Sequence, residues 1–296
     1  MANDSTAGRT PVTNLRGVLI VGSAVLIFTL LLIIPVIAVY AEAFSQGWAT
    51  LWAKLNHRHT IHSIQLTLQV VAWTVPLNLI FGFAAAWVVT HFRFPGRGLL
   101  VTLIDVPFTV STVVAGLMVV ILFGPVGWFG PFLIERGIRV LHGLPSIVMV
   151  TVFVTMPIIA REIMPVMQSR GASAEYAALT LGAHPWQIWT RVTFPAVRTA
   201  VIAGTILCIA RAMGEFGAVA VVSGNVRGRT QTMSLQVDGL YNDYDFVGAF
   251  GLAALMASIG LLSLAFSGGA KGVASLRKRM RPQEDEANTH LRGATR

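Results

Sequence analysis

The chain has 296 residues, of which 54% are hydrophobic and only 12% charged, with a formal net charge of +9. A soluble domain carries about 25% charged residues, so this chain lacks the polar surface to cover a globule in water. It is too apolar for disorder, its single cysteine (Cys208) excludes a disulfide scaffold, and what remains is an all-α polytopic membrane protein.

A membrane helix needs about 20 consecutive, mostly apolar residues. The first such stretch is Val18 to Tyr40, uninterrupted by charge and preceded by Arg16. It is too long for the apolar core of a signal peptide, and Pro35-Val36-Ile37 makes a poor cleavage site, so it reads as a retained span. Five more predicted spans follow: Ser63 to Thr90, Gly98 to Phe123, Gly143 to Met167, Thr199 to Val222 and Phe246 to Ser267. The organisation is thus a short N-terminal segment (1–17), a transmembrane domain (18–267) and a basic tail (268–296).

Basic residues in short loops set orientation. With both termini in the cytoplasm, the inside segments hold fourteen Lys and Arg, seven of them in the tail, against six outside. Arg161 and Arg211 fall within spans. The positive surplus is therefore topological, and a nucleic-acid partner is not expected.

The connection between the fourth and fifth spans, about residues 168–198, is long and patterned. Ser173, Glu175 and the helix formers Ala177, Ala178 and Leu179 predict a short helix with its acidic end at the N-terminus. Gly182 supplies a stop or a close approach of two backbones. Beyond it, Trp186, Ile188, Trp189 and Val192 form a second apolar face. The residues themselves leave two readings: docking into a partner's groove, or an interfacial helix lying on lipid headgroups.

The same segment resembles the EAA motif of ABC importer permeases, in which Glu-Ala-Ala, three residues, Gly, nine residues and Ile-x-Leu-Pro form the coupling helices that contact the ATPase. Ala177 and Ala178 match the alanines, Gly182 the glycine, and Val192 to Pro195 the closing tetrapeptide at the same spacing. Tyr176 stands where the family has its glutamate, with Glu175 one residue earlier, and Val192 and Phe194 replace Ile and Leu. A second run, Ala210 to Val219, is similar to the signature shared by sulfate and molybdate permeases. Ile104-Asp105-Val106-Pro107-Phe108, Gly127-Trp128-Phe129-Gly130-Pro131, Phe153-Val154-Thr155, Val221-Val222-Ser223-Gly224 and Leu240-Tyr241-Asn242 resemble CysW-type sulfate/thiosulfate permeases. This likeness spans residues 60 to 265. It implies a type I ABC importer permease fold in a bacterial inner membrane, forming half of a translocation pathway. It also implies a CysT-type permease partner, a dimer of ATP-binding subunits and an extracytoplasmic sulfate-binding protein. The chain has no Walker A motif, so it is not itself an enzyme, has no cofactor of its own, and leaves ATP and Mg to the partner ATPase. The nearest alternative is the same machine acting on molybdate or tungstate. An ion-driven secondary transporter would call for inverted repeats, and no convincing repeat is visible.

Arg211 and Glu215 are four apart, share a helix face and can pair. A charge at bilayer depth is a functional candidate by default, although such a pair can equally set helix packing. Thr109, Ser111 and Thr112 offer hydroxyls to an oxyanion, or to their own helix backbone. Arg161 and Glu162 lie near the cytoplasmic end of the fourth span, where they can snorkel; Asp105, before Pro107, can cap, pair locally or meet Arg161. His57, His59 and His62 lack a matching cysteine or carboxylate and are not read as a metal site. Cys208 reads as a small core hydrophobe.

Overall fold

A computed structural model describes residues 15–171, 173–263 and 265. The expected tail, and all but the last few residues of the N-terminal segment, lie outside the described residues. Among the described residues there is no strand.

Helix α1 (Leu15–Ala43) begins the chain, and a short amphipathic helix α2 (Trp48–Leu55) leads into the long α3 (Arg58–His91). The third predicted span is two helices, α4 (Arg97–Thr109) and α5 (Thr112–Phe123), meeting at an angle of 105°. The expectation of one straight span fails because hydropathy is continuous across a backbone break: Val110 and Ser111 are extended, with ψ of 132° and 138°. Pro107 sits in the last turn of α4, where it removes the bond to the Leu103 carbonyl and weakens the helix just before the break. After the short α6 (Gly130–Glu135), α7 (Leu144–Arg170) is the best-buried span.

The connection expected over 168–198 is shorter than its sequence suggests. Helix α8 (Ser173–Thr180) fills its first part, and a new helix starts at α9 (Pro185–Ile188). It runs through a π turn (Trp189–Thr193) into α10 (Phe194–Met213), one continuous 29-residue segment. The fifth span therefore starts fourteen residues before Thr199 and stops at Met213, not at Val222. Pro195, which looks like a terminator, falls in the first turn of α10, where the proline ring is tolerated. The short α11 (Gly217–Val222), α12 (Met233–Asn242) and α13 (Phe246–Ser263) complete the described chain.

Among the described residues five helices are long and apolar enough to cross a membrane, or six if the bent α4–α5 pair is one span. Helices α3, α7 and α10 form the central bundle, with Ile159, Ile163, Ala86 and Cys208 fully buried between them. Small residues set their spacing: a methyl group at Gly82 would lie 2.9 Å from Ile159 Cβ, and one at Gly204 3.3 Å from Ile159 Cα. A second core joins α5, α7 and α11 through Ala115, Val150, Ala218 and Val222. Helix α1 contributes no buried residue along its apolar stretch. At its C-terminal end the Tyr40 hydroxyl reaches Ser258 Oγ at 2.6 Å and the Ala254 carbonyl at 3.2 Å, tying α1 to α13.

Candidate functional site

Two places in the fold collect the residues singled out by the sequence. The first is the elbow between α7 and α10. Helix α8 has only eight residues, too few to persist alone in water, and none of its residues is buried. Its C-terminus closes in a Schellman motif: Ala183 N donates to the Ala178 carbonyl and Gly182 N to that of Leu179, each at 3.0 Å. That geometry puts Gly182 at φ +81°, a left-handed conformation that disfavours any side chain. The following helix starts with a capping box. His184 N donates to Gln187 Oε1 at 2.9 Å, and the His184 ring accepts from Trp186 N at 3.4 Å.

What fastens α8 to the central bundle is Glu175. One carboxylate oxygen accepts from the Thr193 hydroxyl at 2.6 Å and the other meets His91 Nε2 at 2.8 Å. The C-terminal turn of α3, the first turn of α8 and the π turn are joined through this one side chain. Beneath it lies a cavity of about 120 Å³, lined in part by Met167, Val192 and Val197. Sequence reasoning identified Glu175 but neither of its partners. His91 is 84 residues away and carries no local signal, and Thr193 is the unspecified position of the closing tetrapeptide.

With Glu175 turned inward, the outward face of the elbow is apolar and aromatic. Tyr176, Leu179, Leu181 and Trp186 are all more than half exposed, and Ala177 and Gly182 are also exposed. Trp186 stacks on Trp189 at 5.2 Å between centroids, and Phe194 lies tilted against Trp189 at 5.6 Å, continuing this surface toward α10. Val192 is half-buried under α8 and Pro195 is exposed on the first turn of α10.

The second place is the level at which α4–α5 and α10–α11 are both interrupted. Arg211 Nη1 meets Glu215 Oε2 at 2.6 Å, as the spacing predicts, although Glu215 stands beyond the end of α10. Glu215 is fixed: its side chain is 1% exposed, its other oxygen accepts from Ala218 N at 3.2 Å, and its carbonyl accepts from Ser234 Oγ at 2.7 Å. Thr112 packs against Gly217, directly after this turn. The Thr109 hydroxyl donates to its own helix at the Val106 carbonyl, 2.8 Å away, and Ser111 precedes α5 without a side-chain cap. Of the uses open to Asp105, the structure shows the pairing with Arg161: Arg161 Nε donates to Asp105 Oδ1 at 2.7 Å, and the guanidinium lies 4.6 Å from the Phe108 ring centroid.

Comparisons with known proteins agree with this architecture. Residues 78–270 match the family described as binding-protein-dependent transport system inner membrane component. The sulfate transport system permease protein CysW of Escherichia coli strain K12 is 43% identical over 245 residues, covering 83% of this chain and 84% of the relative. The corresponding CysT of the same strain is 33% identical, covering 82% and 88%. In fold, the chain is similar to a chain in the crystal structure of a bacterial alginate ABC transporter bound to a periplasmic protein carrying an alginate pentasaccharide. There the TM-score is 0.68 at 16% identity, over 85% of this chain and 91% of that one. The chain belongs to the binding-protein-dependent transport system inner membrane components, within the family of sulfate permeases.

Proposed function

We propose that this chain is one permease subunit of an ATP-driven sulfate importer and forms half of its translocation pathway. The observation that carries the reading is the likeness to sulfate permeases over more than four-fifths of both chains. In this reading the second half is a CysT-type permease, a pair of ATP-binding subunits holds ATP and Mg, and an extracytoplasmic binding protein delivers the anion. Both termini face the cytoplasm of a bacterial cell, and thiosulfate shares the path with sulfate.

The elbow over residues 173–195 is the coupling device. An exposed apolar helix end suits a hydrophobic groove on a partner, and Tyr176, Leu179, Leu181 and Trp186 are the side chains that would enter it. Glu175 supports that surface from behind, so the acidic residue of the motif works inside this subunit. Closure of the ATPase pair would push α8. The Glu175 bonds to Thr193 and His91 would pass the push to α10 and α3 together, rotating the rigid helices about the broken levels.

Co-purification from membranes tests the assembly: a second permease and an ATPase should be recovered with the chain. Uptake of labelled sulfate into proteoliposomes, with thiosulfate and molybdate as competitors, tests the substrate. Recovery of the chain without an ATPase, or uptake that persists without ATP, would refute the reading.

A further inference from the structure

Arg161 lies nine residues before the end of α7, about 14 Å at 1.5 Å per residue. Asp105 lies eight residues into α4, about 12 Å from its start. In the proposed topology those two helix ends lie at the cytoplasmic boundary. His91 at the end of α3 bonds Glu175 just past the end of α7, and α4 begins six residues after His91. The guanidinium reaches Phe108, almost one turn further from that boundary than Asp105. Its direction is thus into the membrane, not out to the headgroups.

The pair also sits on the surface of the chain. The Arg161 side chain is 54% exposed and that of Asp105 31%. Exposed charges at this depth do not face acyl chains; they face an aqueous path or another subunit. The Glu215 carboxylate, in contrast, is sealed and held by a backbone N–H. Asp105 rides on a helix of only 13 residues that ends at the 105° break. A small displacement of α4 against α7 would separate the 2.7 Å contact and uncover the guanidinium.

We propose that Arg161 is an anion-binding step on the translocation path, masked in this conformation by Asp105. A tetrahedral oxyanion takes the place of the carboxylate on the guanidinium when α4 moves. Both ligands accept the same charge-assisted N–H bonds, so return of Asp105 displaces the anion. The exchange meets the requirement that a conducting site bind without trapping. The inference rests on the proposed import of an oxyanion and adds a residue to its path.

The test uses the complete complex in proteoliposomes, with R161Q and the neutral pair D105N/R161Q. A purely structural pair is repaired by the double variant, because no unpaired charge remains. An anion step is not. Both variants should lose at least tenfold in labelled-sulfate uptake, with all subunits retained, ATPase activity within twofold of wild type and fewer anions moved per ATP. Recovery of uptake in the double variant would overturn the proposal. So would loss of the second permease from both variants, which would place the pair at a subunit seam. If R161Q alone fails to assemble, the double variant decides. Wild-type uptake judges the substrate reading separately. A wild type that imports molybdate and not sulfate revises the substrate, while the ratio of variant to wild type still judges Arg161.

Discussion

Removing the Glu175 carboxylate should undock α8 without disturbing the spans. Hydrogen bonds to a charged group are worth about 1.5–3 kcal/mol each. Glu175 is 21% exposed, so water recovers part of that value. Taking the lower figure for the Thr193 and His91 bonds gives a loss of about 3 kcal/mol in E175A, or about a hundredfold in the ratio of docked to undocked α8. An eight-residue helix does not survive undocking, so amide hydrogen exchange reads the equilibrium directly. Exchange at residues 177–181 should accelerate by about that factor in E175A, while amides in the middle of α10 stay protected. T193V should produce a smaller acceleration, and adding it to E175A should change nothing further, since its partner is already gone. Unchanged exchange in E175A would refute the reasoning and assign the docking of α8 to the Val192 contact.

Further substitutions at Arg211 and at three glycines test the packing. R211A leaves the buried Glu215 carboxylate without its counter-ion and should lower stability by about 3 kcal/mol; R211A/E215Q should recover much of that loss in thermal unfolding in detergent. G116A puts a methyl group 2.8 Å from the Ala218 carbonyl and 2.9 Å from Val221 Cβ, and should cost about 1–3 kcal/mol, whereas G98A, with nothing within 4 Å, should leave the melting temperature unchanged or raised. G182A forces a side chain into the left-handed region and should cost about 1–2 kcal/mol. Its effect should appear as faster exchange confined to α8.

The existence of the spans was legible because composition alone dictates it, and the helical elbow before the fifth span because Gly182 and the alanines sit at fixed local spacing. The directions of the helices were not legible. Hydropathy is the same whether α4 and α5 run straight or turn by 105°, and Val110 and Ser111 carry no breaker stronger than Pro107. The start of the fifth span was hidden for a related reason. His184, Pro185 and Gln187 look like loop residues by polarity, yet they are a helix start whose polar atoms satisfy the cap. Long-range polar partners were the other blind spot: nothing near Glu175 announces His91, and nothing near Arg161 singles out Asp105 from other uses of that carboxylate.

The two breaks explain each other. The α4–α5 break at residues 110–111 and the α10–α11 break at 214–216 leave the short helices α5 and α11 packed together. The contact is reciprocal in glycine. Gly116 of α5 faces Ala218 and Val221, while Gly217 of α11 faces Thr112 and Val113. Only small residues at both positions let the backbones approach so closely. Helix α11 has six residues and could not stand alone; it is held by this seam, by Glu215 at its start and by the Val222 carbonyl, which accepts from Ser146 Oγ at 3.2 Å and His142 N at 3.0 Å. These contacts bind α5 and α11 into one packed unit. Its two edges are the bend before Thr112, which carries α4 and Asp105, and the turn before Gly217, which follows Arg211. Each edge has an ion pair beside it, at different depths: Arg211 lies eighteen residues beyond Thr193, about 27 Å along α10, and Arg161 about 14 Å from the end of α7. Glu215 of the first pair is sealed, whereas both partners of the second, Asp105 with Arg161, reach the surface, so under the proposed coupling the second is the pair that opens.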